Sequence, residues 1–407
     1  MRTPLIARLL RSVCHTAPIA ICVVLASAQP ASAQNSSKQT VNCDLLAALR
    51  IDGDAKDLSG LSEKLEDGSS ADLFGGLSAI EYTGVGNRFL LLPDRGAGDG
   101  AVSYPCRFHE AELTLSPDSG TIAFQLVATH FITSSGGKSL VGSLTAHAED
   151  LKANGSNWTA FDPEGIRKLD GANFVISDEY GPRVVLVDES GKVTRELNVP
   201  ESFRLREPID GKYTRGAFPN RGLEGVAVTP SGNTYVAVIQ SPLVQDGKID
   251  DDKCLGINCR WLVYNRSGEA TRQVVYQLDN VKAGVSEVLA VDEHRFLVLE
   301  RDSKGGVEAK HKRVYLADIR DCTDVSGIDA LPADKDPTNV VVASKKLVLD
   351  LLDERFGLGG ELAPEKPEGL AWGKPLADGR RTLWICCDND FDPARKSEFY
   401  CFAVEGL

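Results

Sequence analysis

Acidic residues recur at matching places along this chain. Glu164, Glu224, Glu287 and Glu368 each open a short apolar run, and Ser78 stands at the same place in GGLSAIEY. The apolar run that follows ends on Asp178, Gln240, Glu300, Asp388 or Asp94. If the two runs of each pair form an antiparallel hairpin, the start of one and the end of the next share an edge. Carboxylates from several such units would then meet, raise one another's pKa and call for a cation. An all-oxygen ligand set suits calcium, which polarises a phosphoryl or carbonyl oxygen and lowers the pKa of bound water. The expected ligands are Asp94, Asp178, Glu179, Glu300 and Asp388. Glu164, Glu224, Glu287 and Glu368 are the expected catalytic carboxylates, as further ligands or general base. Arg95, Asn220, Arg221 and Arg301 are expected to orient substrate, since a guanidinium can hold phosphate or carboxylate bidentately. The competing role for each of these groups is structural: a turn cap, an acceptor between sheets, or half of an ion pair.

The elements that would position them are read from Phe161–Leu197. Glu164–Leu169, Phe174–Ser177, Val184–Val187 and Val193–Leu197 are four short runs. Asp170-Gly171, Gly181-Pro182 and Glu189-Ser190-Gly191 separate them as turns. One such meander has too little core to stand alone, and its central hairpin recurs from Gly75, Pro219, Gly284 and Pro367. Repetition of a four-stranded antiparallel unit predicts an all-β fold, a single β-propeller whose inner strands line a central channel. Six blades are preferred and five are the alternative, because the long interval between Ser78 and Glu164 has room for a poorly marked blade, with Leu144–Trp158 expected to be irregular. Asp57–Leu61 is the expected lone strand that closes the ring.

Met1–Ala33 has a basic start at Arg2, Arg8 and Arg11, an apolar stretch, and small-x-small sites at Ala26–Ala28 and Ala31–Ala33. It reads as a secretory signal peptide, so export to the periplasm or medium is expected, with a mature start at Gln29 or Gln34. Residues 34–55 are expected to be a polar tether and 56–407 the propeller. No other segment is long and apolar enough to span a bilayer as a helix. The net charge of −13, with no cluster of Lys and Arg interleaved with aromatics, argues against nucleic acid as a partner. A small-molecule substrate, anionic if a cation bridges it, is the expected partner. Eight Cys lie beyond the signal peptide; in an exported chain an even number suggests disulfides, and Cys254–Cys259 is the expected pair. Zinc is disfavoured, since no C-x-x-C pair exists and the His are scattered.

The chain has no G-x-S-x-G elbow, no H-E-x-x-H and no Arg-His-Gly motif. The segments GGLSAIEY…FLLLPDRG, FDPEGI…FVISDEYGP, NRGLEGVAV and KPEGLAW resemble the secreted bacterial phytase-like family, also called esterase-like activity of phytase. The resemblance runs over about Asp57–Val404 and implies a β-propeller, export, and hydrolysis of phosphate esters or carboxylic esters. A calcium-dependent sugar lactonase and a non-catalytic binding propeller are the alternatives.

Overall fold

The computed structural model describes residues 41–153, 157–171, 173–251 and 253–407. The expected signal peptide lies outside the described residues.

Five four-stranded antiparallel sheets form the ring. Blade 1 comprises Leu77–Tyr82, Arg88–Pro93, Arg107–Ser116 and Thr121–Phe131. Blade 2 comprises Pro163–Lys168, Asn173–Asp178, Arg183–Asp188 and Val193–Glu196. Blade 3 comprises Leu223–Val228, Thr234–Ile239, Asn258–Asn265 and Ala270–Gln277. Blade 4 comprises Gly284–Ala290, Arg295–Arg301, Lys312–Asp318 and Ser344–Asp350. Blade 5 comprises Lys366–Trp372, Arg381–Asp388 and Ser397–Glu405, and its outer strand is Asn42–Ile51.

Five blades replace the preferred six. The long interval after Ser78 is used by two outer strands of ten and eleven residues. It also holds a helix, Leu144–Lys152, in the stretch expected to be irregular; Ser143 caps it by accepting from the Ala146 N–H. The closing strand is also placed differently. Asn42–Ile51, read as part of a tether, pairs with Ser397–Glu405 from Asn42↔Glu405 to Ile51↔Ser397, whereas Asp57–Leu61 forms no strand and is held through the Asp57 N–H, which donates to the Asp72 carbonyl at 2.8 Å. No helix among the described residues is long and apolar enough to cross a membrane.

The alternation of side chains along a strand makes both faces of each sheet apolar, so each blade packs on two neighbours. On Arg88–Pro93, Leu91 joins Trp384 and Phe399 of blade 5, while Leu90 and Leu92 join Phe174 and Ile176 of blade 2. Burial of large side chains on both faces is what sets the ring. A fully buried Leu or Phe stabilises by about 1.5–3 kcal/mol.

All described cysteines are buried free thiols, so the expected Cys254–Cys259 bridge is not formed. Cys254 sits in a small hairpin opposite Ile249, and its Sγ approaches the Leu243 carbonyl at 3.7 Å; Cys259 lies in the next strand opposite Tyr276. The two thiols belong to different sheets.

Candidate functional site: a carboxylate mouth on the propeller axis

Every blade interrupts its inner hairpin at the same place. The register slips between Leu77 and Ala79, Pro163 and Gly165, Leu223 and Val226, Val285 and Glu287, and Pro367 and Gly369. The bulged residues are therefore Ser78, Glu164, Glu224, Ser286 and Glu368. A bulge re-aims a side chain out of the ladder. The glycine after the glutamate serves the ring rather than the site. A Cβ at Gly165 would lie 2.7 Å from the Val226 nitrogen, and one at Gly225 would lie 2.4 Å from Glu287 Oε1. Neighbouring inner strands approach too closely there for a larger residue.

This register corrects the role expected of Glu287. It stands one position beyond the bulge, where Gly165, Gly225 and Gly369 stand in other blades, and its carboxylate turns into the channel. There it meets Arg167 at 2.8 Å. Ser286 takes the place at the mouth.

Five predicted residues do come together. Glu164, Glu179, Glu224, Arg95 and Asn220 meet at the blade 1–2–3 side of the mouth, and Asp162 joins them. Single carboxylate oxygens of Asp162, Glu164 and Glu179 lie within 4.8 Å of one another. Arg95 donates to Asp162 at 2.6 Å, to Glu179 at 3.2 Å, to Asp99 at 2.8 Å and to Asn220. Arg95 and Asn220 are thus tied to the cluster and are not free to grip a substrate. Asn220 takes a left-handed conformation, φ 55°, which asparagine tolerates better than most residues. Glu179 is fixed by its own N–H, which donates to the Asp162 carbonyl at 2.9 Å. Its carboxyl lies close enough to that of Glu224 for each to influence the other's pKa. Gln240 links Glu224 to Arg221 by donating to the first and accepting from the second.

The electrostatics follow from burial. Glu164 is pushed well above the ordinary carboxyl range by desolvation, and then by Glu224 and Asp162. Glu224 is raised by desolvation, Glu179 and Glu368. Glu179 is raised to about 7, by desolvation and then Asp162, against the pull of Arg95. Asp94 is raised by desolvation, Asp388 and Asp162; its carboxylate accepts the Gly96 N–H at 2.9 Å. Among the described residues no donor hydrogen-bonds to the Glu164 carboxylate. The donorless carboxylate of Glu164, beside those of Asp162 and Glu179 that accept from Arg95, makes a set of hard oxygen ligands compatible with a calcium-like cation.

The other expected residues are placed elsewhere. On the far side of the mouth Arg301 pairs with Glu368 and donates to Ser286 Oγ at 3.0 Å. Asp388 pairs with Lys366 at 2.9 Å. Asp178 is a turn brace: it accepts from Arg183 at 2.6 Å and from the N–H groups of Asp162 and Gly181. Glu300 lies off the axis, between blades 3 and 4. It is held by Tyr276 OH at 2.5 Å, His311 at 3.2 Å and Lys345. Neither Asp178 nor Glu300 is available as a ligand at the mouth. Sequence reasoning missed Asp162 and Lys366. Each lies two residues before a bulged glutamate, the spacing that returns an extended chain to the same face.

The profile of a family described as "Phytase-like: Esterase-like activity of phytase" matches residues 72–391. A protein named an uncharacterized secreted protein, from the fungus Arthroderma benhamiae, is 28% identical over 236 residues, 48% of this chain. The match spans 45% of that relative's length, less than half of it. A PQQ-bound aldose sugar dehydrogenase from Streptomyces coelicolor superposes with a TM-score of 0.38 at 11% identity, over 90% of this chain and 99% of its own. A calcium-binding regucalcin from Agrobacterium tumefaciens gives 0.37 at 12% identity, over 88% and 95%. The last two are distant in shape as well as in sequence. The family match runs from just before blade 1 into blade 5, most of the chain, and the chain belongs to the phytase-like family.

Proposed function

We propose that the protein is an exported, cation-assisted hydrolase of phosphate esters or carboxylic esters, acting on a small anionic molecule at the mouth of the channel. The observation that carries this reading is the convergence of Asp162, Glu164 and Glu179, buried and within 4.8 Å, around the single guanidinium of Arg95. Such a cluster is poorly suited to a purely structural role, because like charges out of water repel unless a proton or cation intervenes. Asp162, Glu164 and Glu179 would hold calcium. A bound cation supplies Lewis-acid polarisation of the scissile group and a more acidic water.

The remaining groups have separable tasks. Glu224 lies against the cluster with its pKa raised by burial and by Glu179, which suits it to take or give a proton at the reacting oxygen. Arg95 and Asn220 hold the carboxylates in position. Arg221 and Arg301, on the blade 3–4 side, face the anionic part of the substrate. Export is supported by the character of Met1–Ala33, with its basic start, apolar run and small-x-small sites. A matched relative is also described as secreted.

The test couples stability to turnover. Calcium should raise the melting temperature of chelator-treated protein, and Glu224→Gln should lower turnover of a 4-nitrophenyl ester by about 10²–10⁴. If calcium, magnesium and manganese leave the melting temperature unmoved and Glu224→Gln turns over esters like wild type, the mouth is a recognition surface and the protein a binding propeller. Turnover of lactones alone would assign the same centre to a lactonase.

A further inference from the structure

We propose that the crevice between blades 3 and 4, beside the carboxylate cluster, is an oxyanion subsite that selects substrates bearing a second negatively charged group. The proposal rests on reading the mouth as a substrate site and specifies what that site accepts.

The crevice is lined by Arg221, Arg301, Lys253 and Lys282, with Ser241 and Ser286 between them and no carboxylate in its wall. That is unusual for a chain of net charge −13, and more so beside a cluster of buried carboxyls. The four cations come from different parts of the fold. Arg221 lies in the loop before the inner strand of blade 3, and Arg301 ends the second strand of blade 4. Lys253 belongs to the Lys253–Leu255 strand of the small hairpin, and Lys282 to the loop that leads into blade 4. Arg301 is already paired with Glu368, which lies outside the crevice wall, but among the described residues neither lysine has an ion-pair partner, and Arg221 spends a single N–H, on Gln240. A guanidinium has five N–H donors, so Arg221 keeps most of its capacity.

An independent sign of a missing ligand is Ser241. It is 7% exposed, and its Oγ is buried without a hydrogen-bond partner. A buried hydroxyl left unpaired is unfavourable, and one that lines a basic crevice is supplied with a partner by an oxyanion. The space is about 60 Å³, several times what one water needs, roughly 10–15 Å³. It takes one compact oxyanion, such as a phosphate, sulfate or carboxylate group, and not a second ring. A substrate spanning both places would offer its ester to Glu164 and Glu224 and a charged group to the crevice.

Isothermal titration of the whole protein, free of divalent cations and at low ionic strength, tests this with inorganic phosphate, sulfate and acetate as probes. Phosphate or sulfate should bind at a single site, and acetate binding more tightly than either would assign the crevice to carboxylates. Lys253→Gln/Lys282→Gln removes two exposed, unpaired charges without touching the core and should weaken binding by about tenfold, or ~1.4 kcal/mol. Ser241→Ala should weaken it by a smaller factor. The charge-matched control Lys152→Gln/Lys192→Gln, on blade 2 and its helix, should bind as wild type. The proposal is overturned if none of the three anions binds, or if the control weakens binding as much as the crevice variant. Because these titrations contain no calcium and no ester, they can fail while the hydrolase reading stands, and the reverse.

Discussion

The mouth of the channel and its middle are built from the same residue types and differ in the balance of acid to base: one guanidinium faces two carboxyls in the middle, and five carboxyls crowd one guanidinium at the mouth. In the middle, Arg167 crosses the axis. It donates to the carbonyls of Ile166 at 2.6 Å, Val288 at 2.9 Å and Ile80 at 3.3 Å, and faces Glu287 at 2.8 Å and Glu81 at 3.9 Å. One guanidinium thereby ties blades 1, 2 and 4 through its two terminal nitrogens, while its Nε has no partner. At the mouth, Asp94, Asp162, Glu164, Glu179 and Glu224 crowd around Arg95, and the excess charge is met by raised pKa values. A buried charge that has its partners belongs to the scaffold. A group of buried carboxyls that outnumbers its partners is what the proposed cation would neutralise.

Four outcomes would sharpen or break this contrast. The largest is at Glu164. Glu164→Gln should reduce ester turnover by about 10²–10⁴ and leave the melting temperature in chelator unchanged or higher, since one repelling charge is removed. A lower melting temperature with normal turnover would make the mouth structural too. Next comes Arg167→Ala, which should destabilise by about 3–5 kcal/mol in denaturant unfolding, because three carbonyls lose their donor and Glu287 loses its ion-pair partner. A loss under ~1 kcal/mol would show that the middle is not matched as described.

The third outcome concerns pH. Burial raises Glu287 to about 8 against the pull of Arg167. In the unfolded chain it ionises near 4.5. Between these values the native state keeps a proton that the unfolded state releases, so stability falls as pH rises through this window. Glu287→Gln should flatten that fall in melting temperature between about pH 5 and 8; an unchanged slope would place its origin elsewhere. The smallest effect is at the opposite opening, where Arg381 stacks on Trp372 at 3.4 Å from the ring centroid and is partly exposed. Arg381→Gln should change stability by about 0.5–1 kcal/mol and leave turnover and calcium response as in wild type. A change in turnover would mean that the two openings communicate past Arg167.

Much of this was legible in the sequence, for a reason that also explains the misses. Glu-Gly at Glu164, Glu224 and Glu368 encodes two constraints at once, a bulge that aims a carboxylate and a close approach that excludes a Cβ. Both recur with the blade, so the pattern showed through. Blade 4 reads Ser286-Glu287, and aligning by residue type placed the glutamate one position off; in an extended strand one position reverses the face. Partnership was the other blind spot. Nothing local distinguishes Glu300, held by Tyr276, His311 and Lys345 from other strands, from Glu179 at the mouth. The outermost strand was missed because Asn42–Ile51, NCDLLAALRI, has no clean alternation and borrows its conformation from Ser397–Glu405.

That last pairing sets the order of assembly. Asn42 must find Glu405, close to the far end of the chain, and contacts so remote in sequence form late because loop closure opposes them. Until then blades 1 and 5 are not fastened to each other and the axis is not fully enclosed. The strand that fastens the ring thus lies at the rim of blade 5, away from the carboxylates gathered on blades 1 to 3.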